Sequence, residues 1–305
     1  MKVYFKIIFS TLASLLLLGI VTLVALPFMV DLNDFKTQIE TAVQDNTGRA
    51  LMIEGELELS IFPWLGITTG KMTLNNPQNF TAQPFAQITE SQIKVKLVPL
   101  LFKEIEVSEV VLKGLHLNLL KNLHGVNNWD DLAALIMDKQ NQKKSPLKLL
   151  EIAGLLIKEA HIVWDDQQTG QKIEMKAFNF NSDKLVFNNP FQIKSDFKVH
   201  QSPLNLTETI KFSGILTLNE EFTLFSLKKI KLQSESKGKF IPMGKVLTSL
   251  SGNANFDSTK QVLKFTSLEL KTGELSISSP VFTAWLEKSF RVEAAIHIPN
   301  FDVAC

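Results

Sequence analysis

The residue types that perform acid–base, nucleophilic or metal chemistry occur along this sequence, but their spacing does not assemble a recognisable site. The five histidines are His116, His124, His161, His200 and His297. No two of them lie within five residues of each other, and the HExxH, GxSxG, P-loop and GxGxxG patterns are all absent. The single cysteine, Cys305, excludes an intramolecular disulfide and a CxxC site. We therefore expect no enzyme, no metal site and no cofactor.

The acidic clusters of the sequence also have simpler explanations than catalysis. Asp130-Asp131 falls at the start of a predicted helix and Asp165-Asp166 falls in a predicted hairpin loop. Aspartate is common as a helix cap and in turns, so these roles account for both pairs better than metal binding or acid–base work. The alternating glutamates Glu54, Glu56 and Glu58 share one face of a predicted strand, where water relieves their repulsion.

The overall charge and composition narrow the possible partners. The 32 basic and 31 acidic residues give a net charge of +1, and no strongly basic block is present, so nucleic acid is not an expected partner. The sequence contains 22 Phe but only 1 Tyr. Tyrosine suits partly solvated surfaces and phenylalanine suits wholly apolar ones, so the excess of phenylalanine indicates an apolar surface.

The beginning of the chain reads as a membrane anchor. Residues 7–30 contain no charged side chain, and a helix that rises about 1.5 Å per residue can cross a hydrocarbon core about 30 Å thick with such a run. Lys2 and Lys6 precede it, which predicts a cytoplasmic N-terminus. A cleavable signal peptide is the alternative. The apolar core of a signal peptide spans only about 7–15 residues, so we expect the mature protein to keep residues 1–30. The anchor residues include Ile7, Leu15, Leu16, Leu17, Leu18, Val24 and Val30.

The segment that follows the anchor has a helical pattern. Its apolar stripe consists of Leu32, Phe35, Ile39, Ala42 and Val43, which predicts a helix over residues 31–47 that ends at Gly48. We expect this helix to pack on the domain; a position on the membrane surface is the alternative.

From residue 51 onward the apolar residues alternate with polar ones, which predicts strands with one dry face. A short helix is expected over residues 129–137, and the polar residues 138–148 are the best linker candidate. Pro242 is expected to open another short helix that contains Met243, Val246, Leu247 and Leu250. The predicted organisation is an anchor (1–30), a first region (31–137), a linker (138–148) and a second β region (149–305).

One-sided strands imply an antiparallel sheet whose dry face must be covered, and a few short helices cannot cover a dozen strands. The sheet can fold on itself as a closed sandwich or curl into a trough that holds an apolar ligand. The pattern alone favours the sandwich. The alternation assigns these residues to the dry inner face: Leu51, Ile53, Leu57, Leu59, Ile93, Val95, Leu97, Phe191, Ile193, Phe197, Val199, Phe212, Leu216 and Leu218. Polar neighbours such as Glu56, Lys94, Lys194 and Lys211 are expected to face water.

An ordered set of short motifs in the first 135 residues resembles the AsmA family. After the anchor and the helix, the motifs are residues 47–49 (TGR), 53–59 (IEGELEL), 62–66 (FPWLG), 72–77 (MTLNNP), 95–101 (VKLVPLL), 110–114 (VVLKG) and 125–132 (GVNNWDDL). Residues 157–166 (IKEAHIVWDD) and 298–302 (IPNFD) also look similar to the family. Members usually continue well past the second of these motifs, so we expect this chain to be a truncated N-terminal portion.

The resemblance implies a single-pass inner-membrane protein of Gram-negative bacteria, with most of the chain in the periplasm and a role in outer-membrane biogenesis. The family is similar to bridge-like lipid-transfer proteins, whose β-sheet troughs carry acyl chains. The resemblance therefore favours the trough over the sandwich and makes phospholipid the expected ligand. The alternative is an assembly factor that docks outer-membrane or other periplasmic proteins on its sheet.

Overall fold

The computed structural model describes residues 31–60, 65–80, 83–96, 107–141, 154–241, 244–286 and 290–299. The predicted anchor, residues 1–30, lies outside the described residues, as does Leu97. Within the described ranges, no helix has both the length and the apolar character needed to cross a membrane.

Two α-helices flank the first strands. A 3-10 turn (Leu32–Phe35) leads into α1 (Lys36–Thr47), which ends at Gly48 with a left-handed backbone (φ +70°), as predicted. The second helix, α2 (Asp130–Asn141), is longer than the predicted helix over residues 129–137 and includes the start of the predicted linker. The rest of that linker lies outside the described residues.

Strands dominate the remainder of the chain, which confirms the prediction of a mainly β protein. The first region contains β1 (Leu51–Ile53), β2 (Leu57–Ser60), β3 (Leu65–Thr69), β4 (Met72–Leu74), β5 (Ala86–Ile88), β6 (Glu90–Val95), β7 (Val107–Lys113) and β8 (His116–Lys121). The second region contains β9 (Leu155–Asp166), β10 (Gln171–Ser182), β11 (Phe191–Ser202), β12 (Leu206–Leu218), β13 (Leu224–Lys237), β14 (Lys245–Asp257), β15 (Val262–Thr272), β16 (Leu275–Trp285) and β17 (Arg291–Ala294).

All 17 of these strands belong to one open, curved sheet. From β9 to β17 each strand pairs antiparallel with the next one along the chain. A sandwich needs two sheets packed face to face, so the closed sandwich that the pattern alone favoured is wrong. The curved open sheet preferred from the family resemblance is the arrangement found.

The junction between the two regions makes the sheet mixed rather than purely antiparallel. Both β7 and β8 pair in parallel with β9, through partners such as Val110 with Leu155 and Leu117 with Ile162. Parallel neighbours need a long crossover connection, and the segment that contains α2 provides it between β8 and β9. The hydrogen-bonded sheet therefore runs through both regions.

A line of strand breaks at Gly55, Gly70 and Gly114, which we call the crease, crosses the first region near the middle of its strands. The predicted single strand over residues 51–61 is instead broken into β1 and β2 around Gly55, and the chain breaks between β3 and β4 at Gly70. These two backbones are so close that a Cβ atom on Gly55 would lie 2.3 Å from the Cα atom of Gly70. Gly114, with φ +60°, separates β7 from β8 in the same way.

The second region contains backbone irregularities of the same kind within its long strands. Four non-glycine residues inside these long strands have positive φ angles: Glu159, Ala177, Lys229 and Ser267. The strand registers shift beside them, which marks β-bulges. Bulges bend strands and increase their twist, so they contribute to the curvature of the sheet. At two bulges the displaced backbone N–H is satisfied by an asparagine: Glu159 donates to Asn179 Oδ1 and Lys229 donates to Asn253 Oδ1, each at 3.0 Å.

The helix predicted after Pro242 is wrong, because Val246, Leu247 and Leu250 belong to β14. Their spacing fits a helix, but Val246 and Leu250 also lie on one face of a strand when residues alternate. The intervening Thr248 and Ser249 are weak helix formers, and backbone pairing with β13 and β15 decides the outcome. Pro242 and Met243 lie outside the described residues.

Candidate functional site

The predicted inner residues of the first region come together on one face of the sheet. Directly opposite partners in neighbouring strands share a face. Leu59 is opposite Ile67, and Ile67 is opposite Ile93. The same row continues from Ile93 to Val110 and then to Leu155 in β9. The shared face therefore passes from the first region into the second without interruption.

The second region continues this face. Ile162 is opposite Met175, and Met175 is opposite Val199. Farther along, Phe191 is opposite Leu216. We call this surface the apolar face; its predicted members within the described residues are Leu51, Ile53, Leu57, Leu59, Ile93, Val95, Phe191, Ile193, Phe197, Val199, Phe212, Leu216 and Leu218.

Further phenylalanine rings, beyond the predicted inner residues, extend the apolar face. Three ring pairs bridge neighbouring strands: Phe178–Phe197, with 5.5 Å between centroids, and Phe225–Phe256 and Phe265–Phe282, each with 6.0 Å. Aromatic pairs at these distances add attraction beyond the area that they bury. The high phenylalanine content was the signal that could have indicated them.

The opposite side of the sheet, which we call the polar face, carries charged pairs, some between neighbouring strands and some along one strand. Lys94 contacts Glu109 and Lys113 contacts Glu90, each at 2.6 Å. Hydrogen bonds from Lys176 and Lys172 lower the pKa of Glu174 from 4.5 to about 2. The expected solvent-facing side of the strands is thus the charged one.

The apolar face is covered in its middle and exposed toward both ends of the sheet. Phe191, Ile193 and Leu218 are only 5–8% exposed. Residues from two loops, Leu185, Phe187 and Phe222, pack against them, and Phe187 contacts Phe222 edge-on at 5.2 Å. By contrast, Ile67 and Ile93 in the first region are 39% and 43% exposed, and Val292 in β17 is 44% exposed. Apolar surface is therefore accessible at both ends of the described sheet.

Helix α1 also presents apolar side chains to solvent. Of its predicted stripe, Phe35 and Ile39 are 45% and 40% exposed, while Leu32 and Val43 are half-buried. The helix contacts the sheet through Glu40, whose Oε1 accepts the Ile53 backbone N–H at 2.7 Å. The expected packing of this stripe on the domain is therefore only partial.

The structure brings together two histidines that the sequence keeps apart. His116 and His161 are opposite each other in the parallel β8–β9 ladder, with ring centroids 4.6 Å apart and an edge-on geometry. Burial, followed by the neighbouring His116, lowers the pKa of His161. Within the described residues, no group of three or more His, Cys, Asp or Glu side chains is placed to hold a metal ion.

Among the residues that the structure describes, the strands form one open sheet with an apolar face that no second sheet covers, which defines the class as an open β-sheet protein. Comparison with known families matches residues 1–278 to the AsmA family, and the chain belongs to that family. It is 31% identical over 121 residues to protein AsmA of Escherichia coli strain K12. The aligned part is 40% of this chain and 19% of that relative, so the chain matches about a fifth of the relative's length.

Proposed function

We propose that the protein binds phospholipid acyl chains on its apolar face and passes them between the inner and outer membranes during outer-membrane biogenesis. The observation that carries this proposal is the register of the sheet, which places apolar side chains from β1 to β17 on one face. Membership of the AsmA family supports the role in outer-membrane biogenesis. In this proposal residues 1–30 anchor the chain in the inner membrane, with the rest in the periplasm.

The energetics of burial suit such a role. Each CH₂ group that leaves water contributes about 0.8 kcal/mol, so acyl chains on an apolar surface recover the free energy lost when they leave a bilayer. Because the attraction is non-directional, an acyl chain can move along a continuous apolar face without breaking specific bonds. Transport of this kind requires no catalytic residue, no metal and no cofactor.

A second candidate function is docking of other proteins during outer-membrane assembly. Strand β17 pairs with β16 on one side, and within the described residues no strand pairs with its other side. Val292, Ile296 and Ile298 beside this edge are 44–60% exposed. An unpaired edge can capture an extended segment of another chain by adding a strand.

Site-specific photo-crosslinking distinguishes the two functions. A photoreactive amino acid is placed at Ile93 or Phe197 on the apolar face and, as matched controls, at the adjacent Gln92 or Lys198 on the polar face. The full chain is illuminated in bacterial membranes, purified and analysed by mass spectrometry for phospholipid adducts. We expect lipid adducts at the two apolar positions and none at the two controls. A further photoreactive amino acid at Val292 reports on the edge strand: protein adducts there, together with an absence of lipid adducts at Ile93 and Phe197, would favour docking.

A further inference from the structure

A large open cleft lies on the polar face, on the side of the sheet opposite the apolar face. Its volume is about 1020 Å³, and its lining residues come from β7 and from β9 to β13. Glu159, at one of the bulges, forms part of its wall. A volume of this size is at the upper end of the range for small-molecule sites. Phe212 of the apolar face contributes to its lining, but most of the lining residues, such as Lys194 and Lys211, alternate with apolar-face residues and lie on the opposite side of the sheet. Acyl chains on the apolar face therefore do not account for it.

The cleft is lined by an excess of positive charge. Its lysines are Lys113, Lys158, Lys194, Lys211 and Lys231. The only acidic residues among its lining are Glu159 and Asp196, and Asp196 accepts a hydrogen bond from Asn179 at 3.0 Å. Lys113 is paired with Glu90. Across the described part of the chain, no ion pair is found for the other four lysines.

The register fixes the spacing of three of these lysines. Lys194 and Lys231 both lie opposite Ser213, one on each side of β12. Neighbouring strands are about 4.8 Å apart, so the Cα atoms of these two lysines are separated by about 10 Å. Lys211 lies two residues from Ser213 on the same strand and the same face, about 7 Å away. The three side chains form a triangle around the centre of the cleft.

The lining of the cleft favours an anionic ligand. Lysine presents a compact ammonium charge that binds phosphate as a point charge, and five lysines line the cleft. Asn181, Ser213 and Gln233 add neutral hydrogen-bonding groups between the lysines. We propose that this cleft binds a ligand that carries two or more phosphate groups about 10 Å apart. The ligand occupies the polar face independently of any lipid on the apolar face.

The test measures binding of inositol hexakisphosphate to the full chain in a nonionic detergent by isothermal titration calorimetry, with orthophosphate as the single-phosphate comparison. We expect hexakisphosphate to bind at least tenfold more tightly than orthophosphate, and the affinity to fall as salt is raised. The triple variant Lys194→Gln, Lys211→Gln, Lys231→Gln should weaken binding at least tenfold. The three side chains are exposed, so its thermal unfolding should match that of the wild type.

The matched control is the triple variant Lys198→Gln, Lys264→Gln, Lys271→Gln. It removes the same charge from exposed positions on the same face, but outside this cleft. Binding within twofold of the wild type in this control supports the proposal, and an equal loss in both triples overturns it. Binding of polyglutamate as tight as that of hexakisphosphate also overturns the assignment to phosphate.

A flotation assay distinguishes soluble from lipid-borne phosphate. Vesicles of phosphatidylcholine with and without phosphatidylglycerol are compared for binding of the wild type and the two triple variants. Loss of binding to the anionic vesicles in the cleft triple, but not in the control, assigns the phosphate to a lipid surface. An absence of binding to both hexakisphosphate and anionic vesicles overturns the proposal and leaves the crosslinking result on the apolar face unaffected.

Discussion

Arg49 and Asp131 form a two-point ion pair between residues 82 positions apart in the sequence. The Nε atom of Arg49 donates to Asp131 Oδ2 at 2.9 Å, and its Nη2 atom donates to Oδ1 and to the Asn128 carbonyl. The guanidinium is 4.5 Å from the centroid of the Phe85 ring, and Arg49 is only 2% exposed. The pair joins the end of α1 to the first turn of α2. It therefore links the segment after the predicted anchor to the crossover between the two regions.

Replacement of Arg49 by alanine should destabilise the first region. The change removes charged hydrogen bonds from a buried site and leaves the Asn128 carbonyl without this partner, which costs roughly 2–3 kcal/mol of unfolding free energy. Urea denaturation of the full chain measures the change. The other arginine, Arg291, provides the control: it is exposed and lies over the Trp285 ring, so Arg291→Ala should cost less than about 1 kcal/mol. Equal effects of the two substitutions would remove the structural role assigned to Arg49.

This pair shows where prediction from the sequence reached its limit. Both residues lie in motifs that resemble the AsmA family, yet nothing in their local spacing indicates that they meet. The faces of the strands were predictable because the two-residue period of a strand is local. The helix expected after Pro242 was not excluded locally, because Val246 and Leu250 fit both periods until the pairing of this segment with β13 and β15 is known. Partners such as Arg49 and Asp131 depend on the whole topology, so a single sequence does not reveal them.

The alternation of apolar residues did not predict the crease, although its glycines are present in the sequence. Gly55 sits among the alternating residues without interrupting the pattern, so residues 51–61 read as one strand. The break arises because its backbone approaches Gly70 from the neighbouring segment. Such an approach is a tertiary requirement, and only a residue without a side chain satisfies it.

Replacement of Gly55 by alanine should disrupt this approach. The new Cβ atom would lie 2.3 Å from the Gly70 Cα atom, and because the neighbour is backbone it cannot swing aside. We expect the substitution to cost roughly 1–3 kcal/mol, which thermal unfolding of the full chain detects. Gly66→Ala is the control, since the nearest atom to its new Cβ would be 3.6 Å away. If the midpoint for Gly55→Ala equals that for Gly66→Ala, the close approach has no energetic importance.

The stability of the protein should fall in acid partly through Glu174. Hydrogen bonds from Lys176 and Lys172 lower its pKa from 4.5 to about 2 in the folded state, so its carboxylate stabilises the fold above pH 4.5. That contribution is lost as the pH falls from about 5 to about 2. Glu174→Gln should therefore flatten the pH dependence of the unfolding free energy in this window. The double variant Lys172→Gln, Lys176→Gln should flatten the same window, and an unchanged slope in both variants would contradict the assignment.

A charged substitution at Ile67 should separate lipid binding from folding on the apolar face. Ile67 is 39% exposed, so Ile67→Asp leaves the new carboxylate partly hydrated and should cost less than about 1 kcal/mol of stability. In a lipid-binding groove the same charge lies against acyl chains, where it is costly, so phospholipid that co-purifies with the full chain should fall severalfold. Mass spectrometry of extracted lipid and thermal unfolding measure the two effects.

Two further substitutions complete this test. Phe197, half-buried beside Phe178, should respond to aspartate with a larger loss of stability as well as a loss of lipid. The control is Lys198→Asp, on the polar face, which should change neither. The apolar face is exposed near Ile67 and packed near Phe197. If this face is a lipid-binding groove, both aspartate variants should lose lipid, whereas the loss of stability should be larger in Phe197→Asp. Lipid content that stays at the wild-type level in Ile67→Asp would show that acyl chains do not use this end of the sheet.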